Sequence, residues 1–267
     1  GALTPQWACA TIGTSSALRI ITPAEGVDIP WGVFVYRLDR ERLVVGGALS
    51  EGGNVVRWLT DGLGIKHKKQ LERAAARIAP DSHGLTILPF WAGERSPNWR
   101  GDARAAIVGL SLGTGPADLL RAAMEAITYQ LAAVADALEK VGGHPRAVVA
   151  TGGQLIHSPA LVPLLADALN VPVVTSPEQE ASSRGAALLA LHAQGRSPQL
   201  WSATPPAGRR YQPRARIHAI YEKARARQRR LYELLLPAAG QPEHGVPIAA
   251  AESGSRRKDL RTPAARH

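Results

Sequence analysis

The sequence predicts an α/β fold in which a mixed sheet is flanked by helices, and three features of its 267 residues indicate this. Residues 7–22 form two apolar runs separated by a small-residue turn at 13–16, which is typical of a β-hairpin. Residues 116–140 carry apolar side chains at helical spacing. Residues 146–195 alternate strand-like and helix-like segments, as in a βαβα layer, so helices are expected to cover the sheet.

The first half of the chain continues with short strands and then helices. FVYRLD at 34–39 and RLVVGG at 42–47 have the apolar content of strands. The spacing becomes helical at 53–59 and again at 65–78, and LTILPF at 85–90 returns to a strand pattern. This order predicts a strand-rich opening followed by helices that pack on the sheet.

The second half begins with a loop and ends with a basic helix. Residues 91–104 mix glycine, proline, charges and two tryptophans without any period, so they are expected to form a loop. Asp118 lies at the start of the helix at 116–140, where a carboxylate favours the helix dipole. A last amphipathic helix is expected over 217–235. Residues 237–267 lack a hydrophobic period and are expected to be disordered.

Composition limits the classes of function. The net charge is +10, but residues 204–236 alone hold nine Lys/Arg against two acidic residues, and a basic helix face is usually only solvated. We therefore expect no nucleic acid as a partner. Apolar runs are too short for a membrane helix and the start GALTPQWACA lacks the pattern of a signal peptide, which predicts a cytoplasmic protein without a membrane partner.

Cysteine and tryptophan usage favours structural roles. A lone cysteine, Cys9, excludes an internal disulfide and a multi-cysteine metal site, and it is expected to be a buried, inert thiol. The six tryptophans are scattered without the basic interleaving of a base-stacking surface, and most are expected in the core.

Two small-residue turns are candidates for ligand binding. Gly13, Thr14 and Ser15 form either an ordinary turn or a phosphate cradle in which glycine admits the ligand and hydroxyls donate to phosphate oxygens. Gly152 and Gly153 follow a strand and precede a helix, the position where open α/β sheets bind ligands. Neither turn matches a Walker loop or a dinucleotide fingerprint, and on their own both turns are only suggestive.

The combination of motifs resembles one family. AAIVGLSLGTGPADLLRAAME at 105–125 is similar to the C-terminal signature of the FGGY carbohydrate kinases, and IGTSSALR at 12–19 is similar to their second phosphate loop. ATGGQLIHSPALVPLLADALNVPV at 150–173 resembles their adenosine motif. The resemblance covers about residues 8–236. It implies an actin-like ATPase (ribonuclease-H-like) fold, with residues 1–236 as one nucleotide-binding domain and 237–267 as a tail.

Within that family, two segments are most similar in sequence to gluconate kinases. They are GERSPNW at 93–99 and EASSRGAALLAL at 180–191. The resemblance implies ATP-dependent phosphorylation of a sugar or sugar acid, gluconate being favoured over xylulose or another polyol. The alternative is a non-catalytic module that binds a nucleotide or an assembly partner. The oligomeric state stays open, with a homodimer among the alternatives.

The resemblance assigns roles to particular residues. Those expected at the nucleotide are Gly13, Thr14, Ser15, Gly53, Arg57, Gly152, Gly153, Gln154 and His157. Glu94 and Arg95 are expected at the substrate cleft, although a local surface salt bridge would explain this pair nearly as well. Arg57 could equally be an exposed helix residue. The acidic residues Asp118, Glu125 and Asp167 are expected to be structural.

The sequence also departs from the family pattern. The Asp-x-Gly-Thr form of the first phosphate loop and the aspartate that acts as general base have no counterpart in this chain. We therefore expect no catalytic residue and no metal ligand here, and an isolated chain without transfer activity. The implied partner is the N-terminal kinase half, and the implied cofactors are ATP and Mg²⁺.

Overall fold

The structure, a computed structural model, describes residues 1–153, 155, 158, 160–178, 180–196, 199–202 and 208–236. Two of the predicted nucleotide contacts, Gln154 and His157, lie outside the described residues, and so does the predicted tail at 237–267.

A mixed sheet forms the centre of the molecule, as predicted. Its seven strands in the described residues are β1 (Trp7–Ile12), β2 (Ser16–Pro23), β3 (Phe34–Arg37), β4 (Arg42–Leu49), β7 (Ala147–Thr151), β8 (Val173–Thr175) and β9 (Arg210–Tyr211). Their order is β3-β4-β2-β1-β7-β8-β9. The pairs β1–β7 and β7–β8 are parallel, and the other pairs are antiparallel. A separate antiparallel pair consists of β5 (Thr86–Leu88) and β6 (Ala106–Val108).

Helices follow the predicted segments closely. They are α1 (Gly53–Arg57), α2 (Lys68–Arg77), α3 (Pro116–Gly142), α4 (Leu161–Leu169), α5 (Ala181–Ala193) and α6 (Ala215–Leu235). The helix predicted over 53–59 ends earlier than expected, at Arg57, and continues as one π-helical turn, Trp58–Gly62. A short 3₁₀ turn spans Leu200–Ser202.

The long helix α3 packs its apolar side against the sheet. Ala122, Ile127, Leu131 and Val134 are buried in the core between them. The contact is close, since a Cβ added at Gly47 of β4 would lie 2.5 Å from a methyl group of Val134. This burial of apolar surface is the main force that holds the helix on the sheet.

Carboxylates at two helix ends have the structural roles expected of them. Asp118 accepts a hydrogen bond from the N–H of Gly115, 2.9 Å away, and so caps the start of α3. Asp167, fully buried in α4, accepts hydrogen bonds from the backbone N–H and the guanidinium of Arg214. These bonds fix the start of α6 against α4.

Arginines of α6 contact the body of the domain. Arg225 donates to Asp136 of α3 over 2.6 Å, and Arg227 donates to Asp81 and to Thr86. The prediction that the basic face is simply solvated is therefore wrong for these two residues. Opposite charges on α3 and in the 79–85 turn draw them into ion pairs.

Cys9 and the tryptophans are less buried than expected. Trp31, Trp58 and Trp99 are 39%, 38% and 41% exposed, and none of the six tryptophans is fully buried. Cys9 is half-buried because alternate residues of β1, including Trp7 and Cys9, lie on the less covered face of the sheet. In the described part of the chain, every helix is too short or too polar to cross a membrane.

Candidate functional site

The two predicted ligand-binding turns lie at the same edge of the sheet. Strands β1 and β7 are parallel neighbours with Thr11 opposite Thr151, and the side-chain oxygens of these residues are 2.9 Å apart. Each strand ends within a residue of that pair. The turn at 13–15 and the glycines at 152–153 therefore emerge side by side at the carboxyl ends of adjacent strands, where α/β sheets bind ligands.

The turn at 13–15 is bound to the start of α1. Gly53 N–H donates to the carbonyl of Gly13 over 2.7 Å, and Asn54 N–H donates to that of Thr14 over 3.2 Å. Within the turn, Gly13 N–H donates to the carbonyl of Ser15. The N–H groups of Gly13 and Gly53 thus already donate to backbone carbonyls of the protein. Thr14 and Ser15 are exposed, which leaves their hydroxyls as the predicted phosphate donors.

The glycines at this edge differ in what requires them. A Cβ added at Gly13 would meet nothing within 4 Å, so the protein leaves open space there. Gly152 has φ +93, and its Cβ would lie 2.6 Å from the carbonyl oxygen of Ile12. Its first role is therefore close packing of its turn on β1. Gly153 is exposed. A ligand at this edge would consequently meet Gly13 and Gly153, with Gly152 behind them.

Gly52 is a required glycine that sequence reasoning missed. A Cβ added there would lie 2.9 Å from the carbonyl oxygen of Gly13 and from the carbonyl carbon of Ser15. The start of α1 can approach the 13–15 turn only because Gly52 has no side chain. The Gly52-Gly53 pair in the sequence was the available signal. Arg57 lies exposed in the last turn of α1, and both roles considered for it stay predictions.

The loop at 91–104 contains the two predicted cleft residues, Glu94 and Arg95, and their side chains differ in burial. Glu94 is only 4% exposed, and its carboxylate accepts hydrogen bonds from Asn98 Nδ2 at 2.8 Å and from Tyr232 Oη at 2.6 Å. Arg95 is exposed. The alternative of a surface salt bridge between Glu94 and Arg95 is wrong, because Glu94 points inward to α6. A contact of either residue with substrate stays a prediction.

A second buried acid, Glu51, lies between the turn and this loop. Glu51 is 3% exposed, its carbonyl accepts from Ser16 Oγ over 2.6 Å, and its Oε1 accepts from Ala92 N–H over 3.0 Å. Burial, assisted by the nearby charge of Glu94 and opposed by the hydrogen bond from Ala92 N–H, raises the pKa of Glu51 to about 7. The pKa of Glu94 is also raised by burial, although hydrogen bonds from Tyr232 and Asn98 oppose this.

No sequence signal pointed to Glu51 or Tyr232. Their partners are 35 to 138 residues away in the chain, so local spacing carries no trace of the contacts.

A third group of polar side chains lies elsewhere, between α2, α3 and α6. Ligand atoms of Asp81, His83 and Glu125 all lie within 4.8 Å of one another, a spacing that could hold a metal ion. The oxygens of Glu125 are already engaged, since Oε1 accepts from Arg121 Nε at 2.6 Å and Oε2 accepts from His83 and Tyr129. Although burial opposes it, the hydrogen bonds from His83 and Arg121 and the charge of Arg121 lower the pKa of Glu125. We assign the group to the core, in the structural role expected for Glu125.

Two relatives of this chain are a gluconokinase and a glycerol kinase. Over 198 residues, 70% of this chain, it is 35% identical to the gluconokinase of Bacillus subtilis. Over 192 residues it is 34% identical to the glycerol kinase of Aromatoleum aromaticum. The match covers 38% of each relative. The chain therefore spans well under half the length of the curated relatives it matches.

Solved structures of carbohydrate kinases share the fold. A gluconate kinase from Lactobacillus acidophilus superposes with a TM-score of 0.77 at 30% identity, over 88% of this chain and 48% of that one. A xylulose kinase from the same organism gives 0.78 at 30% identity, over 89% and 49%. These likenesses confirm the predicted actin-like fold with a mixed sheet flanked by helices.

The model of the FGGY family of carbohydrate kinases, C-terminal domain, matches residues 8–194. This range contains both turns, α1, the 91–104 loop and the long helix α3. Relatives and solved structures of gluconate kinases agree with the resemblance drawn from the sequence. The chain belongs to the FGGY family of carbohydrate kinases, of which it represents the C-terminal domain.

Proposed function

We propose that this chain binds ATP between the 13–15 turn and the 152–153 turn, as the nucleotide-binding half of a kinase that phosphorylates gluconate. The parallel pairing of β1 and β7 supports this most directly, because it puts two small-residue turns beside each other at one sheet edge. A nucleotide needs a polar, open site for its phosphates and a close backbone approach for its ribose. The two turns offer one each.

The phosphate end is the turn with the open glycine. Thr14 and Ser15 would donate their hydroxyls to γ-phosphate oxygens, and Gly13 leaves the space for the phosphate to approach. Gly53, Asn54 and the turn are joined by two hydrogen bonds, so the start of α1 holds the turn in one shape. Arg57, exposed on α1, would contribute positive charge nearby. A rigid turn with a fixed donor set is what phosphoryl transfer demands of a protein.

The nucleoside end is the turn with the tight glycine. Gly152 packs on Ile12 and presents the exposed Gly153 at the site. We propose that the ribose lies against Gly153, where any side chain would occupy its place. Gln154 and His157 are proposed for the ribose and adenine by family resemblance.

Magnesium would be held through the phosphates. Glu51 is the carboxylate next to the phosphate turn, and it does not fit a metal ligand, because it is buried, has a raised pKa and accepts from Ala92 N–H. When bound, Mg²⁺ neutralises charge on the transferring phosphoryl group. The residues of this chain hold and orient the nucleotide, and the general base that accepts the sugar hydroxyl proton is proposed to come from the sugar-binding half.

Gluconate is the proposed acceptor because the cleft-loop sequence at 93–99 and the helix sequence at 180–191 are most similar to gluconate kinases. The 35% identity to a gluconokinase supports the same choice. Xylulose is the alternative acceptor, since a xylulose kinase shares the fold at the same 30% identity as a gluconate kinase.

The experiment is a pair of measurements. Calorimetric titration of the 267-residue chain with ATP and Mg²⁺ is expected to give one-to-one binding without ADP release when gluconate is added. In the kinase that contains this domain together with a sugar-binding half, a panel of gluconate, xylulose and glycerol is expected to give ADP release with gluconate. Absence of ATP binding would refute the proposal, and phosphorylation of xylulose with inert gluconate would change the assigned substrate.

A further inference from the structure

Glu51 lies where the phosphate turn and the cleft loop meet. It follows the last residue of β4 by two positions and precedes α1 by two, directly before the glycine that contacts the 13–15 turn. A carboxylate that is 3% exposed needs hydrogen-bond partners, since burial without them is unfavourable. The hydrogen-bond partners of Glu51 therefore decide which segments are held together at this edge of the sheet.

Each end of Glu51 contacts a different segment. The carbonyl accepts from Ser16 Oγ, the residue that follows the 13–15 turn, over 2.6 Å. Side-chain Oε1 accepts from the N–H of Ala92, at the start of the 91–104 loop, over 3.0 Å. One residue thus joins the proposed phosphate end of the site to the loop that carries Glu94 and Arg95.

The loop has other anchors, on β4 and on α6. Ser96 N–H donates to the carbonyl of Ala48 over 2.9 Å, and Ala48 N–H donates to Ser96 Oγ over 3.1 Å. Tyr232 of α6 donates to Glu94. These contacts hold the loop on β4 and on α6. The loop also touches the end of α1, where the rings of Trp91 and Trp58 lie 5.4 Å apart. Of the hydrogen bonds named here, Glu51–Ala92 is the one made by the residue directly before Gly52, which packs on the 13–15 turn.

We propose that Glu51 is a positioning residue that couples occupation of the 13–15 turn by ATP to ordering of the 91–104 loop. The proposal rests on the proposed function, since it takes the 13–15 turn as the phosphate site and the 91–104 loop as the segment that faces the sugar substrate. Glu51 contacts neither ligand. It sets the loop relative to the phosphate that is transferred, and such positioning is a large part of catalysis of phosphoryl transfer.

Coupling of this kind is reciprocal. If bound ATP orders the loop by some factor, the ordered loop must strengthen ATP binding by the same factor. Removing the side-chain acceptor of Glu51 should therefore reduce the ATP effect on the loop and the ATP affinity together. A residue that merely supported the fold would lower stability without linking these two quantities.

The test measures amide hydrogen exchange in residues 91–104, and at Ala92 in particular, with and without saturating ATP. In the parent chain ATP is expected to slow exchange about fivefold or more. In Glu51→Ala the slowing should fall below about twofold and the ATP affinity should drop by the same ratio. Glu51→Gln is the rescue variant, because its amide oxygen still accepts from Ala92 N–H.

Tyr232→Phe is the matched control, since it removes the loop anchor on α6. Its loop should exchange faster overall while ATP still slows that exchange as in the parent. Normal ATP binding by the parent without any slowing at Ala92 would overturn the coupling, and this outcome needs no variant. Equal slowing in Glu51→Ala and the parent, or equal loss in Glu51→Gln and Glu51→Ala, would overturn it too. Failure of the parent to bind ATP would instead refute the proposed function.

Discussion

The hydroxyl oxygens of Thr11 and Thr151 lie 2.9 Å apart, across the parallel pairing of β1 and β7. Arg19 on the neighbouring strand β2 also donates to Thr11, over 3.3 Å. This polar contact joins the carboxyl ends of the two strands that carry the candidate turns. The turns therefore share one rigid base, and a ligand that contacts both would be held without any movement of the sheet.

Gly153→Leu is expected to weaken ATP binding at least tenfold, which is about 1.4 kcal/mol. Gly153 is exposed, so leucine there should leave the fold intact and occupy the proposed place of the ribose. Calorimetric titration of the variant with ATP measures the change, and circular dichroism checks the fold. Gly153→Ala provides a graded control with a smaller loss. Unchanged ATP affinity in a folded Gly153→Leu would put the nucleoside pocket elsewhere.

Thr14→Ala is expected to weaken binding of ATP while leaving binding of adenosine unchanged. Thr14 is exposed in the turn next to open space at Gly13, so its hydroxyl is available to a phosphate and not to the nucleoside end. One lost hydrogen bond to a charged group corresponds to about 1.5–3 kcal/mol. Parallel titrations with ATP and adenosine measure this difference. A matching loss for both ligands would mean that Thr14 supports the fold of the turn.

Glu51→Gln is expected to change the pH dependence of stability. Burial, assisted by the charge of Glu94, raises the pKa of Glu51 from 4.5 to about 7, so the folded chain binds more protons than the unfolded chain between these values. Stability should then fall as pH rises through this window, on the order of 2–3 kcal/mol from this residue. Glutamine removes the titration. Urea unfolding at pH 5 and pH 8 should show the variant gaining stability relative to the parent at pH 8, whereas a constant difference would contradict this.

Glu125→Ala is expected to destabilise the domain by about 3 kcal/mol or more, because it leaves the buried guanidinium of Arg121 without its carboxylate partner. Both side chains are buried, and their hydrogen bond measures 2.6 Å. Asp136→Ala is the control, since its carboxylate is exposed and its partner Arg225 keeps a second ion pair with Glu222, so its loss should matter by less than about 1 kcal/mol. Thermal unfolding compares the two variants.

Adding EDTA to the parent should leave its melting temperature unchanged, and a drop would favour a metal among Asp81, His83 and Glu125.

Deletion of residues 237–267 is expected to leave the domain folded, because every secondary-structure element described here ends by Leu235. The truncated chain should unfold in one cooperative transition and bind ATP as the parent does. Loss of the cooperative transition would show that the proposed domain boundary at 236 is wrong. Differential scanning calorimetry of both chains makes the comparison.

Much of the fold could be predicted from the sequence, because periodicity is local. The structure confirmed the β-hairpin at 7–22, the helix at 116–140 and the alternating strands and helices of 146–195. The predictions that Cys9 and most tryptophans are buried were wrong. Residue type predicts average burial, but it does not predict which face of a sheet is covered. The prediction that the basic face of α6 is only solvated was wrong for Arg225 and Arg227, because Asp136 and Asp81, which join them to the rest of the domain, lie 89 and 146 residues away.

The candidate site divides in the same way. The amino-acid sequence by itself determined the two turns and the family, because small residues at strand ends and the signature at 105–125 are properties of short segments. Only the tertiary structure decided that Gly52 and Gly152 face backbone, that Glu94 is held by Tyr232, and that Glu51 joins the turn to the loop. These facts depend on which distant segments meet at the sheet edge. Strand order and packing set those meetings, and local spacing does not encode them.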